Sequence, residues 1–330
     1  MYKISILCKA GFLTGMGHVV RQIHLGRVLR SRGMDIEFFI TDHPPSVELL
    51  RRENFSAKVI AKVEDLPGEL NATYDLALLD VQDTKKDFIG ALRERARKIM
   101  SFEDLGDGRN HVDLLVDCNL EPEQAQYLKP PVKALFGLPY SVLAEEFGQY
   151  HQRKKLFSES LETLLVTMGG TDPNNLTMQL ARCLLQSRKK TSITFVAGPG
   201  FQKTSSLAEL VSSVPSFQVL HQPGNMAELL FHHQAVCCSG GVTLHEALAV
   251  GTPAFVISQV MAQQEKTCPL EKKGAAIDLG LAKDFDAKKI SRIWESTKAQ
   301  LENMSTKAKK LVDGQGIVRV EDEVIALLSS

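Results

Sequence analysis

Nowhere in the 330 residues does an apolar run approach the roughly 18–20 residues that a membrane span needs. The chain is not expected to cross a bilayer. Neither sign of charge dominates, because Lys plus Arg and Asp plus Glu number 39 each. Without a field of one sign, nothing steers the protein toward nucleic acid or an acidic membrane, and a small molecule becomes the expected partner. The six cysteines, Cys8, Cys118, Cys183, Cys237, Cys238 and Cys268, form no C-x-x-C pair. Most sit in apolar stretches and read as reduced thiols acting as small hydrophobes, which suits a reducing cytoplasm. Nine scattered histidines give no ligand set that demands a metal, and no cofactor is expected. The start, Met1 to Cys8, has too short an apolar stretch for a signal peptide and reads as a first β-strand, so export is not expected.

What is present is enough for two cores. Chains beyond about 250–300 residues usually split into domains, and 44% hydrophobic with 24% charged residues suits two soluble α/β units. Short β-branched runs alternate with amphipathic stretches, the pattern of parallel βαβ units. In the first half the strands are expected at Ile4–Leu7, Ile36–Ile40, Leu76–Leu79, Lys98–Phe102, Leu114–Val116 and Ala134–Phe136. Val19, Val20, Ile23, Val28 and Leu29 recur at helical spacing between the first two, with Gly33 as the C-terminal cap. A polar, charged stretch then predicts a linker over 149–160, separating an N-terminal domain, 1–148, from a C-terminal one, 161–330.

Strands of the second domain are expected at Leu164–Thr167, Ile193–Val196, Phe217–Leu220, Ala235–Cys238 and Ala254–Ile257. Helices should begin near Asn174, Asn225, Thr243 and Gln264. Doubly wound sheets bind ligands at the carboxyl ends of their strands, so two facing sheets would put a site in the cleft between domains. The charged, helical tail from about Asp284 could pack back on the N-terminal domain.

Three Gly-rich turns carry the chemistry. Gly15-Met16-Gly17-His18-Val19-Val20-Arg21 follows the first strand and opens a helix. Two glycines allow close backbone approach and a helix N-terminus favours negative charge, although the same residues could simply make a tight turn. As a dinucleotide fingerprint the run fails, because Val20 stands at the third small position and Asp42 lies too far along. His18, on the first helical turn, is placed for acid–base work near neutral pH, and the helix N-terminus favours its neutral form. A locally hydrogen-bonded structural histidine is the alternative. Arg21, one turn on, shares its face and could hold an acid or a neighbouring loop.

The second turn, Met168-Gly169-Gly170-Thr171-Asp172-Pro173-Asn174, exposes amides suited to a pyrophosphate, and Asp172 beside Pro173 also suits a helix cap. The third and most specific run is Cys238-Ser239-Gly240-Gly241-Val242-Thr243-Leu244-His245-Glu246, followed by Gly251-Thr252-Pro253 and Gln263-Gln264-Glu265. Its amides could take phosphate and Glu246 could accept from both ribose hydroxyls. Thr243-x-x-Glu246 is equally a capping box that would tie Glu246 to the helix end.

Taken in order, the G-x-G-H-x-x-R start, the GG-T-D strand end and the S-G-G-x-T-x-x-E…G-T-P…Q-Q block resemble a known family. It is that of UDP-2,4-diacetamido-2,4,6-trideoxy-β-L-altropyranose hydrolase of pseudaminic acid synthesis, and more distantly the UDP-GlcNAc transferase that makes lipid II. Asp113 to Asn119 and Phe136-Gly137-Leu138-Pro139-Tyr140 fit the same pattern, and the resemblance runs through about Gly280. It implies a glycosyltransferase-B fold of two Rossmann-like doubly wound domains, a UDP-sugar substrate and no essential metal. His18 would then be the base, with Glu246 on the ribose. Gly169, Gly170, Thr171, Ser239, Gly240, Gly241 and Thr243 would cradle the diphosphate, and Gly15, Gly17, Arg21, Tyr140, Gln263 and Gln264 would face the sugar.

Three departures concern the sugar side. Val81-Gln82 follows Leu79-Asp80 where the family places a tyrosine, Gln263-Gln264 replaces Asn-Gln, and Cys8 to Thr14 lacks the family's Arg-x-Asp/Ser opening. The expected activity is hydrolysis of a UDP-deoxyamino sugar, with a transferase to a saccharide or lipid-linked acceptor, or a protein that only binds the nucleotide sugar, as alternatives. A lipid acceptor would bring peripheral membrane contact through basic residues, for which Arg51-Arg52 and Lys85-Lys86 are the candidates, otherwise solvated helix faces. The oligomeric state is left open.

Overall fold

The computed structural model describes residues 1–11, 15–119, 128, 132–187 and 189–330, so the part of the divergent N-terminal stretch at Phe12-Leu13-Thr14 lies outside the described residues. The chain forms two compact units, 1–144 with 315–330, and 145–314.

The first unit alternates β1 (Lys3–Cys8), α1 (Gly17–Ser31), β2 (Asp35–Thr41), α2 (Pro44–Arg52) and β3 (Ser56–Ile60). It continues through α3 (Leu66–Glu69), β4 (Tyr74–Asp80), α4 (Lys86–Arg93), β5 (Ala96–Phe102), β6 (Leu114–Asp117) and β7 (Lys133–Phe136). All pairings are parallel, in the order β3-β2-β1-β4-β5-β6-β7. In β1 both faces are buried. Ile4, Ile6 and Cys8 enter one core with α1 residues, and Leu7 enters a second with Leu79, Ile89 and Leu92. A strand covered on both faces reads as a continuous apolar run, which is why its sequence was legible. Helix α1 ends as expected at Gly33, whose φ of +81° is open to glycine, with the Met34 N–H donating back to the Leu29 carbonyl.

Two strands carry no such run. β3 lies at a sheet edge, with Val59 47% exposed, and its alternating Ser56-Ala57-Lys58-Val59-Ile60 escapes a search for apolar runs.

In the second unit α5 (Glu146–His151) precedes β8 (Thr163–Thr167), α6 (Leu176–Gln186), β9 (Ser192–Ala197), α7 (Thr204–Val211) and β10 (Phe217–His221). There follow α8 (Met226–His232), β11 (Ala235–Cys238), α9 (Val242–Val250), β12 (Ala254–Ser258), α10 (Met261–Lys272) and β13 (Ala276–Leu281). Helices α11 (Ser291–Glu295) and α12 (Lys298–Leu311) close the unit, and α13 (Gly316–Ser329) returns to the first, where Ile317, Val320 and Val324 enter the α1 core. The second sheet has the order β10-β9-β8-β11-β12-β13, again parallel. β13 is the other strand missed in sequence. It is also an edge, and Asp278 and a Gly280 at φ +98° interrupt it where its register with β12 shifts.

Residues 149–160, read above as a linker, are built into the second unit. Tyr150 and Phe157 are buried, and the Lys155 ammonium donates to the carbonyls of Leu230, Phe231 and His233 at the end of α8. Burial, and then Lys309, pushes the Lys155 pKa down to about 7. Its apolar stem explains the misreading: a lysine run looks solvated in sequence, whereas one of its members caps a helix from inside. Among the described residues no helix is long and apolar enough to cross a membrane.

Candidate functional site

Each sheet reverses its winding once, between β1 and β4 in the first unit and between β8 and β11 in the second. At such a point the connecting segments diverge to opposite faces and leave a crevice at the carboxyl ends of the strands. Both clusters of candidate residues lie there.

In the first unit Gly15 holds φ +75° and its N–H donates to the Gly11 carbonyl at 2.8 Å. Gly15 and Met16 lead into α1, whose first residue is Gly17 and second His18. Across the crevice β4 ends on Asp80, fully buried. His18 Nδ1 and Asp80 Oδ1 are 2.6 Å apart. Burial alone would raise the Asp80 pKa, but Arg21 and His18 outweigh it and bring it down to about 2. Asp80 is therefore an acceptor only and Nδ1 carries a proton, so the neutral form of the ring has its lone pair on Nε2. The 3.3 Å approach of Arg21 Nη2 to the same Nδ1 is then a contact rather than a bond to an acceptor.

Arg21 holds acids, the first of the roles expected for it, and its guanidinium is taken up by them. Its Nε and Nη2 donate to Asp80 at 2.9 and 2.7 Å, its Nη1 donates to Glu103, and it is buried. All three nitrogens face protein carboxylates, so the guanidinium positions Asp80. Gln22 adds a bond from Nε2 to Asp80 at 2.8 Å. Tyr140 lies on the turn after β7, partly buried against the core that holds Val142 and Ile317. Sequence reasoning did not assign Asp80, Gln22 or Glu103. The available signal was an acid closing an otherwise apolar strand, Leu76-Ala77-Leu78-Leu79-Asp80.

In the second unit Gly169 (φ +83°) and Gly170 follow β8, while Ser239, Gly240 and Gly241 follow β11. Ser239 is buried, and its Oγ would lie 3.5 Å from a Cβ at Gly169. A Cβ at Gly240 would fall 3.0 Å from the Gln263 carbonyl oxygen, so α10 packs on this turn only because it is glycine. Helix α9 starts at Val242 with Gly241 as its N-cap and no side-chain cap. Thr243 is thus the second helical residue, and the capping-box alternative for Glu246 fails on register. Glu246 is buried, which raises its pKa from 4.5 to about 7 against the opposing hydrogen bond from Thr243. Asp172, by contrast, is a helix cap, accepting from Leu176 N–H at 2.9 Å and Thr177 N–H at 2.8 Å.

Gln263 and Gln264 part company. Gln263 Oε1 accepts from the Gln259 N–H at 2.8 Å, and its Nε2 would lie 3.9 Å from a Cβ at Gly241. Gln264 instead donates to Asp278 at 3.2 Å, on β13. Gln259, just after β12, ties that connection to the turn after β8, donating to Asp172 at 3.0 Å and accepting from Asn174. Thr171 is buried with its methyl toward Gly200.

The unassigned run Gly198-Pro199-Gly200, after β9, completes this half. The Gly200 N–H donates to the Gly170 carbonyl at 2.7 Å, and a Cβ at Gly198 would fall 2.3 Å from the Gly169 oxygen and 2.7 Å from the Gly170 Cα. Because both obstacles are backbone, Gly198→Ala is expected to displace the 169–170 turn. With that turn cradling the diphosphate, as the resemblance implies, UDP affinity measured calorimetrically should fall at least about tenfold, equivalent to about 1.4 kcal/mol. Unchanged affinity would remove that turn from the site.

Among the described residues no group of three or more His, Cys, Asp or Glu is arranged to hold a metal. The basic pairs considered for a membrane are solvated and mostly ion-paired, Arg51 and Arg52 with Glu48 and Lys85 with Asp83.

The architecture is shared by solved glycosyltransferases. The crystal structure of Acinetobacter baumannii MurG matches with a TM-score of 0.68 at 14% identity, covering 99% of this chain and all of that one. The calicheamicin glycosyltransferase CalG4 matches with a TM-score of 0.67 at 15% identity, covering 100% and 98%. The chain has the glycosyltransferase-B fold.

Its sequence relatives are distant, and no protein-family model matches. It is 27% identical over 332 residues to the spore coat polysaccharide biosynthesis protein SpsG of Bacillus subtilis, covering 96% of both chains. An uncharacterized protein of Methanocaldococcus jannaschii is 28% identical over 277 residues, and the match spans 80% of this chain but 57% of that protein. The UDP-2,4-diacetamido-2,4,6-trideoxy-beta-L-altropyranose hydrolase of Campylobacter jejuni is 28% identical over 188 residues, 56% of this chain and 66% of the hydrolase.

Proposed function

We propose that the protein is an enzyme of polysaccharide biosynthesis that hydrolyses a UDP-linked deoxyamino sugar, with His18 as general base. The observation that carries this reading is the His18–Asp80 pair, which fixes the ring's proton on Nδ1 and leaves Nε2 as a lone-pair base at the carboxyl end of the sheet. A purely structural histidine does not require a buried carboxylate held by an arginine and a glutamine.

In this mechanism Nε2 takes a proton from water as the water oxygen attacks the anomeric carbon. The bond from that carbon to the diphosphate oxygen breaks, and UDP departs with the electron pair. Asp80 stabilises the imidazolium that forms, as the acid of a His-acid pair does elsewhere. The second unit holds the leaving group. Backbone amides at Gly240–Thr243, at the positive end of α9, favour the diphosphate, and Glu246 accepts from the ribose hydroxyls. Support for uracil and an amino sugar comes from the name of the Campylobacter hydrolase, and support for polysaccharide synthesis from that of SpsG.

The glycosyltransferase neighbours favour a second reading, in which an acceptor hydroxyl replaces water at the same base. The deciding experiment incubates the protein with UDP-2,4-diacetamido-2,4,6-trideoxy-β-L-altropyranose and with UDP-GlcNAc, in water alone, and assays free UDP. Release by water supports the hydrolase. Release only after a saccharide or lipid-linked acceptor is added supports the transferase, and failure to bind UDP overturns both.

A further inference from the structure

Arg21 presents Nε and Nη2 to Asp80, and both side chains are buried. A bidentate pair of this kind cancels much of its own charge. Alone, it would leave Asp80 holding the His18 ring by geometry, with little charge to offer it. The third arm of the guanidinium, however, donates to Glu103 Oε1.

Glu103 is held in place by construction. Its φ of +46° lies in the left-handed region, unfavourable for a residue with a Cβ. Its N–H donates to the Val116 carbonyl at 2.8 Å. The next residue, Asp104, is fully buried and accepts from the N–H and hydroxyl of Thr84 and from the Gly106 N–H. Glycines let this loop close on Thr84: a Cβ at Gly106 would fall 1.9 Å from the Thr84 oxygen, and one at Gly108 2.1 Å from its Oγ1.

We propose that Glu103 is a positioning residue for the base: by neutralising Arg21 it leaves the negative charge of Asp80 to His18. The proposal rests on the reading of His18 as the base. Among the described residues, the titratable and charged groups meeting here are His18 and Arg21 on α1, Cys8 on β1, Asp80 on β4, Glu103 after β5 and Cys118 after β6, whose thiol donates to Glu103 at 3.3 Å. Of these described groups two carboxylates face one guanidinium, so the charge of Arg21 is met by Glu103 as well as by Asp80 when a proton arrives at His18. With a neutral residue at 103 the same proton would meet one negative charge fewer in a buried site.

The test is Glu103→Gln, whose amide oxygen can still accept from Arg21. Nitrogen NMR follows the His18 ring, assigned by its disappearance in His18→Ala. Its titration midpoint is expected to fall by about 0.5–1 pH unit, with thermal midpoint and UDP affinity unchanged. The acid limb of kcat/KM should move the same way and its plateau drop roughly 3- to 30-fold, as a weaker base requires. Glu103→Asp, which keeps the charge, should restore the midpoint. Arg21→Gln, which deletes the cation, should raise it, so that the sign can be read even where Glu103→Gln fails to fold. A midpoint that does not move, or moves alike in Glu103→Gln and Arg21→Gln, overturns the proposal. Full turnover in His18→Ala would instead overturn the base reading, while the NMR midpoints still report on Glu103.

Discussion

His18→Ala is expected to lower turnover by about 10²- to 10⁴-fold, the usual contribution of a positioned acid–base group, with UDP affinity nearly unchanged. The split follows from the proposed roles: His18 on α1 would take the proton, whereas the Gly-rich turns and Glu246 would hold the nucleotide, so deleting the ring should remove a proton acceptor and leave the proposed nucleotide ligands in place. Asp80→Asn should cost a similar factor in kcat, because an amide in that place no longer fixes the tautomer. It also removes one of the two carboxylates paired with the buried Arg21, leaving Glu103 as its partner, so a thermal melt must accompany the rate measurement. Unimpaired turnover in His18→Ala would end the proposed mechanism.

Glu246 makes the second large prediction. Its pKa is raised from 4.5 to about 7 by burial, and only the Thr243 hydroxyl opposes this. Ribose hydroxyls donate hydrogen bonds, which favour the ionised carboxylate, so nucleotide binding should expel a proton from Glu246 near neutral pH. UDP affinity is therefore expected to rise with pH between about 6 and 8, by at most about tenfold per unit on the acid side. Glu246→Gln should flatten that dependence, and Glu246→Ala should weaken UDP binding about 10- to 100-fold. The same shift predicts a stability trend for the free protein. Because the folded pKa lies above the unfolded one, the stabilisation is complete below pH 4.5 and is lost as pH rises toward 7. It amounts to something on the order of 3 kcal/mol, and thermal melts of wild type and Glu246→Gln across that window should diverge. A pH-independent affinity, measured by calorimetry, would take Glu246 out of the ribose site.

The central strands of both sheets were legible because burial on two faces leaves unbroken apolar runs, as in β1, β4 and β11. Strands β3 and β13 were not, since the sequence of β3 alternates polar and apolar residues and Asp278 and Gly280 break that of β13. Glycine turns were legible where a positive φ or a close approach demands glycine, as at Gly15, Gly169 and Gly240. Gly198 and Gly200 meet the same demand but were overlooked, although they too stand paired at a strand end.

By itself the sequence determined the alternation of strands and helices, the three Gly-rich turns and the place of His18 on the first turn of α1. Each of these depends on residues within a few positions of one another. Only the tertiary structure decided the partners. His18 meets Asp80 across 62 residues, Arg21 meets Glu103 across 82, and Gln259 meets Asp172 across 87. Such encounters depend on which strands become neighbours at the reversal of winding. That order is set by the packing of whole sheet faces, which no local pattern records.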